Sequence, residues 1–279
     1  MCDAAAGQYL VDLGVWQLGT AGVNSEHLPY RSIYSRRDRL KDLLRPMLEF
    51  FRIGTLSRPS LNQLDEKLEC LLPRHGGWFV EAGAYDGFQQ SNTYYFAKLK
   101  GWRGVLIEPL PQLASRCRQR RQEAIVISSV LGAPEDVGRT VRLRHAGLMT
   151  MVCGTMADAA TEHVRAEAGL REQGLPPLEQ FVEAPVRTLT DVLEESGTPS
   201  DFDLLSLDVE GSEVAALRGL DLKRFLPRAI CVEIRHENLA VVQHLLEERY
   251  EQPLFLTHHT SYSDCFFALK NQTASSPAA

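Results

Sequence analysis

The chain has 279 residues and a formal net charge of -6 at pH 7. Hydrophobic residues make up 44% and charged residues 24%, which is typical of a globular protein, and the acidic balance argues against a dedicated nucleic-acid binder. Six scattered cysteines without a CxxC pair favour neither a zinc site nor a disulfide framework. Because we find no leader-like start and no apolar run of about 18 residues, we expect a cytoplasmic protein with reduced thiols and no membrane partner.

Residues 1–60 differ from the rest of the chain in their hydrophobic patterning. A weakly patterned stretch precedes "RRDRLKDLLRPMLEFFRIG", whose leucines recur at helical spacing and whose Pro46 predicts a kink or a split. A second helix is predicted from the N-cap Ser60 to just before Pro73. We therefore expect an extension at 1–60, acting as a lid or an oligomer contact, a main domain at 61–270, and a disordered tail at 271–279.

From Trp78 onward, predicted strands and helices alternate. "WFVEAG", "RGVLIEPLP", "AIVISSVLG", "DFDLLSLDVEG" and "RAICVEIR" are predicted strands, and "EQPLFLTHH" with "DCFFALK" predicts a closing hairpin. The stretch 133–184 is irregular, with a polar and partly helical middle. Strand–helix repeats of this length predict an α/β fold with a mostly parallel, doubly wound sheet and helices on both faces.

Four of the predicted strands end in acids: Glu81, Glu108, Asp208 and Glu233. Ligands of open parallel sheets bind beyond the carboxyl ends of the strands. Glu81 and Asp86 in the glycine loop would repel a pyrophosphate and suit a ligand with a positive charge. Glu108 is placed to accept hydrogen bonds from both hydroxyls of a ribose. Together these acids predict an S-adenosyl-L-methionine site.

Four segments carry a family resemblance: "FVEAGAYDGFQQSNTYYF", "GWRGVLIEPLPQL", "FDLLSLDVEGSEVAALRGL" and "AICVEI". Together they resemble the FkbM-type methyltransferases over residues 61–270. The resemblance implies a Rossmann-like class I methyltransferase fold, with a seven-stranded sheet whose last strand is antiparallel. It also implies O-methylation of a hydroxyl on a natural product or sugar.

The resemblance also implies a set of cofactor contacts, with the first loop at the methionine part, Glu108 at the ribose and residues 128–130 at the adenine. The set comprises Glu81, Gly83, Ala84, Asp86, Asn92, Thr93, Glu108, Pro109, Ser128, Ser129, Val130 and Asp208. This chain departs from the family pattern in two places. Ser206 stands where a lysine is common, and Tyr85 stands at a loop position that is often small or Asn/Asp-like.

Transfer to an alcohol requires a general base, because a hydroxyl is a poor nucleophile. Asp208 is the first candidate, with Glu210 close by, and His236 after the fifth strand is the second. Asp208, Glu210 and Glu233 would also suit Mg²⁺. No ligand spacing enforces that site, so we expect no metal, and Mg²⁺ stays a weaker alternative.

Two other functions compete with the methyltransferase. An inactive relative could keep the fold as an interaction module, but it would have little reason to retain an acid at each strand exit. A nicotinamide-dependent oxidoreductase is disfavoured because Glu81 and Asp86 stand in the phosphate position and G-x-G-x-x-G is absent. We expect a small-molecule hydroxyl acceptor and no nucleic-acid partner, and a homo-oligomer is an open alternative to the monomer.

Overall fold

The computed structural model describes residues 36–154, 158–176 and 180–270. The helices are α1 Arg36–Phe50, α2 Leu64–Leu71, α3 Tyr94–Lys100, α4 Pro111–Arg120, α5 Ala159–Glu172, α6 Leu189–Glu195, α7 Glu213–Arg218 and α8 Leu239–Leu246. The strands are β1 Trp78–Ala82, β2 Arg103–Ile107, β3 Ala124–Ile127, β4 Val130–Leu131, β5 Thr140–Arg144, β6 Met151–Val152, β7 Phe181–Arg187, β8 Leu204–Leu207, β9 Ala229–Arg235, β10 Leu254–Phe255 and β11 Tyr262–Ala268.

The main sheet has seven strands in the order β10-β11-β9-β8-β1-β2-β3. The pairings among β3, β2, β1, β8 and β9 are parallel, whereas β11 runs antiparallel to both β9 and β10. The strand order reverses at β1, which pairs with β2 on one side and with β8 on the other. The predicted class I methyltransferase fold, with its antiparallel last strand, is therefore confirmed.

Side chains alternate between the two faces of the buried strands. Phe79 and Leu204 belong to a core cluster that contains residues of α2, α3 and α4. Val80 and Leu205, one residue further along the same strands, belong to a cluster that contains residues of α6, α7 and α8. The sheet is thus covered by helices on both faces, which leaves the strand ends as the place where polar side chains can meet a ligand.

The stretch that we expected to be irregular contains a second, four-stranded sheet in the order β4-β7-β5-β6. The predicted third strand divides, because β3 ends at Ile127 and Val130–Leu131 joins β7 of this second sheet. The expectation failed because the strands are short, β5 has few apolar residues, and Pro185 interrupts the β7 pattern. Helix α5 packs onto this sheet through Ala166, Leu170 and Met151.

Two local predictions near the N-terminal side were wrong in part. Helix α1 is not split at Pro46 but continues from Arg36 to Phe50. Ser60 makes no side-chain capping bond, and a 3-10 turn at Leu61–Gln63 precedes α2. Ser60 Oγ instead donates a hydrogen bond to Asn92 Oδ1, across 32 residues of sequence.

The remaining expectations concern the two chain ends, the domain boundaries, membrane spans and the cysteines. Residues 1–35 and the predicted tail at 271–279 lie outside the described residues, and the domain boundaries stay predictions. In the described part of the chain, no helix is both long enough and apolar enough to cross a membrane. The five cysteines there, Cys70, Cys117, Cys153, Cys231 and Cys265, are all unpaired.

Candidate functional site

A cavity of about 620 Å³ lies at the carboxyl ends of the main-sheet strands, beside the reversal at β1. Its volume is in the range of small-molecule sites. Segments following β1, β2, β3 and β8 contribute to its wall, together with Glu233 of β9 and residues of α5 and of the second sheet. Among the predicted site residues, the lining contains Glu81, Gly83, Asn92, Glu108, Pro109, Ser129, Val130, Asp208, Glu210 and Glu233.

Gly83 directly follows β1, at the point where the backbone passes close to Asp208 at the end of β8. Its amide donates to Ile107 O over 3.1 Å, and its φ is +84°. A Cβ built at Gly83 would lie 1.8 Å from the carbonyl oxygen of Asp208. Only glycine combines this left-handed conformation with such a close approach, so Gly83 brings the glycine loop against Asp208.

Glu81, only 4% exposed, organises the glycine loop. Its Oε2 accepts hydrogen bonds from Ser91 Oγ at 2.9 Å and Thr93 Oγ1 at 2.7 Å, and its Oε1 accepts from the Asn92 amide at 2.8 Å. Asn92 Nδ2 donates in turn to Ser206 Oγ at 3.1 Å. The serine that replaces the family's common lysine therefore anchors Asn92 at the cavity wall.

A buried arginine that the sequence reasoning missed braces the same loop. Arg121 is 0% exposed, and it donates to Gly87 O and Ser91 Oγ at 3.2 Å and to Thr93 Oγ1 at 3.1 Å. Its guanidinium also lies 3.8 Å from Glu81. The basic run "RCRQRRQ" at residues 116–122 is most simply interpreted from the sequence as the solvated face of a helix, but Arg121 follows α4 and is fully buried. The sequence alone carries no signal of that burial.

In the loop after β1, three of the predicted cofactor contacts lie outside the cavity lining: Ala84, Asp86 and Thr93. The carboxylate of Asp86 is fully buried, and it accepts from the amides of Phe88 and Gln89 and pairs with Arg120. These bonds fix the turn that follows Gly83. Direct contact of the three residues with a cofactor stays a prediction.

Glu108, at the end of β2, lines the cavity and is 5% exposed. Its Oε2 accepts from the Tyr85 amide and its Oε1 from the Leu110 amide, both at 2.9 Å. Burial raises the pKa of Glu108 to about 8, partly offset by the Leu110 amide. Each oxygen keeps a lone pair, so the carboxylate can accept two further hydrogen bonds from a ligand.

The segment after β3 supplies the next part of the wall. Ser129 is 1% exposed, and its hydroxyl has no hydrogen-bond partner among the described residues. A buried polar group without a partner costs free energy, which a bound ligand relieves. Val130 and Pro109 also line the cavity, whereas Ser128 lies outside the lining and bonds to Pro109 O at 3.4 Å.

Asp208, Glu210 and Glu233 form the acidic end of the cavity. Burial raises the pKa of Asp208 well above its usual value, and the charge of Glu233 adds to the effect. Burial also raises the pKa of Glu210, against the opposing effect of Arg165, which donates to Glu210 Oε2 at 2.9 Å. Burial and the Glu210 charge raise the pKa of Glu233 to about 8.

These carboxylates differ in their partners. Within the described residues, the carboxylates of Asp208 and Glu233 have no hydrogen-bond or ion-pair partner. The same residues contain no group of three or more His, Cys, Asp or Glu side chains arranged to hold a metal ion. The weaker alternative of a Mg²⁺ site at Asp208, Glu210 and Glu233 thus gains no support.

His236, the second candidate base, is exposed and does not line the cavity. Its Nε2 contacts Ser263 Oγ at 3.1 Å, and its ring stacks on His258 with 5.0 Å between centroids. Tyr262, which we did not single out, does line the cavity, and burial beside the acidic end raises its pKa to about 12. The structure thus brings Asp208 and Glu210 together and leaves His236 apart.

Comparison with known proteins identifies related folds and one family. The family model described as "Methyltransferase FkbM domain" matches residues 81–252. Among solved structures, the METTL16 methyltransferase domain is 11% identical with a TM-score of 0.48, and the match covers 88% of this chain and 84% of that chain. An FkbM methyltransferase from Methylobacillus flagellatus KT is 15% identical with a TM-score of 0.42, covering 81% of this chain and 60% of that one. No curated protein matches the sequence significantly.

Proposed function

The chain belongs to the FkbM methyltransferase family, and we propose that it uses S-adenosyl-L-methionine to methylate a hydroxyl of a small natural-product or sugar-type molecule. The observation that carries the proposal is the cavity at the strand exits. It is lined by Glu108, which can accept hydrogen bonds from the hydroxyls of a ribose, and by Asp208, whose carboxylate has no cation partner among the described residues.

The residues of the cavity fit the cofactor. S-adenosyl-L-methionine supplies an electrophilic methyl group on a sulfonium, next to a ribose and an adenine. The two Glu108 oxygens each have capacity for one hydroxyl, and Ser129 offers an unpaired buried hydroxyl toward a base edge. Glu81 holds the loop whose Gly83 backbone reaches the cavity, and the acidic end favours a positively charged group.

Asp208 is the general base that we propose. Its carboxylate lines the cavity beside Gly83, and its pKa is raised by burial and by Glu233. A carboxylate with a raised pKa is a stronger base than one in water, so it is suited to accept the hydroxyl proton of the acceptor. Glu210 is tied to Arg165, which makes it the better positioning group for the second sheet and α5.

The cofactor is tested first, by calorimetric titration of the protein with S-adenosylhomocysteine. At a pH above 8, where Glu108 is ionised, we expect Glu108→Gln to bind about 100-fold more weakly, because two hydrogen bonds to a charged acceptor contribute about 3 kcal/mol together. Glu195→Gln, an exposed acid on α6, is the matched control and should bind as the wild type does. No binding by folded wild-type protein would favour the alternative of an inactive interaction module.

The reaction is tested by transfer of labelled methyl groups to a panel of polyols, sugars and amines, with the methylated atom located by NMR. We expect O-methylated products, and Asp208→Asn should lower kcat by about 100-fold or more while the affinity for S-adenosylhomocysteine changes little. Methylation of amines alone would refute the hydroxyl acceptor, even if the cofactor site behaves as expected.

A further inference from the structure

Three acidic side chains form one row across the main sheet. Leu207 of β8 pairs in register with Val232 of β9, so the residues that follow them, Asp208 and Glu233, continue the row. Asp264 of β11 lies directly opposite Glu233 in the antiparallel pair. Neighbouring strands are about 4.8 Å apart, and residues that pair in register share a face of the sheet. The row therefore leads from the proposed base, Asp208, away from β1 and its glycine loop.

Asp264 is a buried acid that has no part in the site described above. It is 5% exposed. Its Oδ2 accepts a hydrogen bond from Thr257 Oγ1, whereas its Oδ1 has no hydrogen-bond partner among the described residues. Burial raises the pKa of Asp264, against the opposing effects of the Thr257 bond and of the charges of His259 and Lys67. An acid with a raised pKa and one free oxygen is suited to take up a proton and release it again.

A small recess lies between the three acids. Its volume is about 20 Å³, and Asp208, Glu233 and Asp264 all line it, together with Gln90 and Asn92. One water molecule needs about 10–15 Å³ and two to four polar partners, so the recess has the room and the partners for one. Asp208 and Glu233 also line the main cavity. The recess therefore adjoins the main cavity at these two carboxylates, and Asp264 lies on its far side.

The far end of the row reaches a half-buried histidine. His259 lies close enough to Asp264 for its charge to act on that carboxyl. His259 Nε2 contacts Asn62 Nδ2 at 3.0 Å, and the His259 ring stacks on Tyr262 with 4.4 Å between centroids. These contacts hold the ring beside Asp264. Because histidine side chains exchange protons readily at neutral pH, His259 gives the row an outlet to solvent.

Methyl transfer to a hydroxyl requires a place for one proton. The O–CH₃ bond forms and the S–CH₃ bond breaks with its electron pair left on sulfur, so the acceptor oxygen must release its proton. A positive charge that the site binds with the cofactor is thus replaced by a proton. Carboxylates that lie close together take up a proton readily, because each raises the pKa of the next. Asp208 must then pass the proton on before it can act as a base again.

We propose that Asp208, Glu233 and Asp264 form a proton relay. The proton that Asp208 accepts passes by way of a water molecule in the recess to Glu233 and Asp264, and it leaves at His259. This inference rests on the proposed function and extends it, since Glu233 and Asp264 act through Asp208 as positioning residues for the proton. The other charged and titratable groups that act on the row are Glu210, Glu213, Arg165, Tyr262 and Lys67.

Proton uptake on ligand binding tests the relay without any acceptor. Calorimetric titrations with S-adenosyl-L-methionine and with S-adenosylhomocysteine, in buffers of different ionisation enthalpy, give the number of protons taken up with each ligand. The two ligands differ by the methyl group and its positive charge, so any contribution of Glu108 to the difference cancels. At about pH 7.5 we expect wild-type protein to take up about half a proton more with S-adenosylhomocysteine.

Asp264→Asn should reduce this difference to less than half of the wild-type value, because one acid of the row is gone and the other two repel each other less. Asp221→Asn, at an exposed loop position, is the matched control and should behave as the wild type does. Equal proton uptake with the two ligands, or an unchanged difference in Asp264→Asn, would overturn the relay. Binding of neither ligand by folded protein would refute the proposed function as well.

Turnover with an acceptor that the wild type methylates provides the second test. Asp264→Asn can keep the bond from Thr257 Oγ1, since the amide oxygen accepts it, so the fold should be retained. We expect kcat to decrease about tenfold, with little change in the KM of either substrate or in the affinity for S-adenosylhomocysteine. An unchanged kcat would overturn the relay and leave the proposed function standing. An equal loss of kcat and of S-adenosylhomocysteine affinity would show a structural role for Asp264 and would likewise overturn the relay.

Discussion

Replacing Glu233 by glutamine should stabilise the protein at alkaline pH. Burial and the charge of Glu210 raise the pKa of Glu233 from 4.5 to about 8 in the folded state. A raised folded-state pKa means that folding favours the protonated acid. The associated stability is full below pH 4.5 and is lost as pH rises through 8. Above pH 8 the ionised carboxylate therefore opposes folding, whereas a glutamine does not.

The size of the effect follows from the pKa change. One pKa unit corresponds to about 1.4 kcal/mol, so a rise from 4.5 to about 8 sets an upper limit of about 5 kcal/mol. Asp208 and Glu210 titrate in the same cluster, so removal of one charge also lowers the pKa of the others. We expect about 1–2 kcal/mol for Glu233→Gln, which raises the Tm by about 2–8 °C.

Scanning calorimetry at pH 5 and pH 8.5 measures this difference. Glu233→Gln should raise the Tm at pH 8.5 and leave it nearly unchanged at pH 5. Glu237→Gln, at an exposed position four residues further along, is the matched control and should be neutral at both values. A lower Tm for Glu233→Gln at pH 8.5 would refute the reasoning, because it would mean that the carboxylate is stabilised by a partner.

Three further predictions concern the glycine loop and the ribose site. Gly83→Ala should lower the Tm by about 5–10 °C, because the added Cβ clashes with the Asp208 carbonyl. Gly138 has a similar φ of +83° but open space around it, so Gly138→Ala should lower the Tm much less. An equal decrease in Tm for both variants would show that the clash is not the cause. Burial raises the pKa of Glu108 to about 8, and only the ionised form accepts hydrogen bonds from two hydroxyls. The affinity for S-adenosylhomocysteine, measured by calorimetry, should therefore rise about tenfold per pH unit below pH 8 and then level off. The affinity of Glu108→Gln should not change with pH, and a wild-type affinity that does not change with pH would contradict the prediction. Arg121→Lys should raise the KM for S-adenosyl-L-methionine about tenfold with little change in kcat. Arg118 is exposed on α4, and Arg118→Lys should change neither constant. A decrease of about tenfold in kcat for Arg121→Lys would argue against a role confined to positioning the loop.

The main fold and the acids of the cavity could be predicted because both depend on local patterns. An apolar run that ends in an acid places that acid at the edge of a parallel sheet, whichever helices cover the faces. Glu108 and Asp208 illustrate this, since each directly follows a strand at the cavity, whereas Glu233 lies two residues before the end of β9. The second sheet could not be predicted, because β4 and β6 have two residues each and their pairing joins distant parts of the chain.

Roles within the loop depend on contacts that no local pattern contains. Arg121 lies in a basic run, and its burial arises from Gly87, Ser91 and Thr93, about 30 residues earlier. Asp86 is adjacent to the cavity in sequence but turns toward Arg120. His236 follows β9 as expected, yet the chain turns there and its ring stacks against His258 outside the lining.

These contacts change how Glu81 contributes to the site. We expected its carboxylate to contact the methionine part of the cofactor, and it does line the cavity. It also accepts three hydrogen bonds from Ser91, Asn92 and Thr93. The loop is therefore ordered by protein groups, and the entropy of ordering it is lost on folding and not on binding. Since Glu108 and Ser129 keep free hydrogen-bonding capacity at the same wall, the affinity for the cofactor should depend more on Glu108, and the rigidity of the loop more on Glu81.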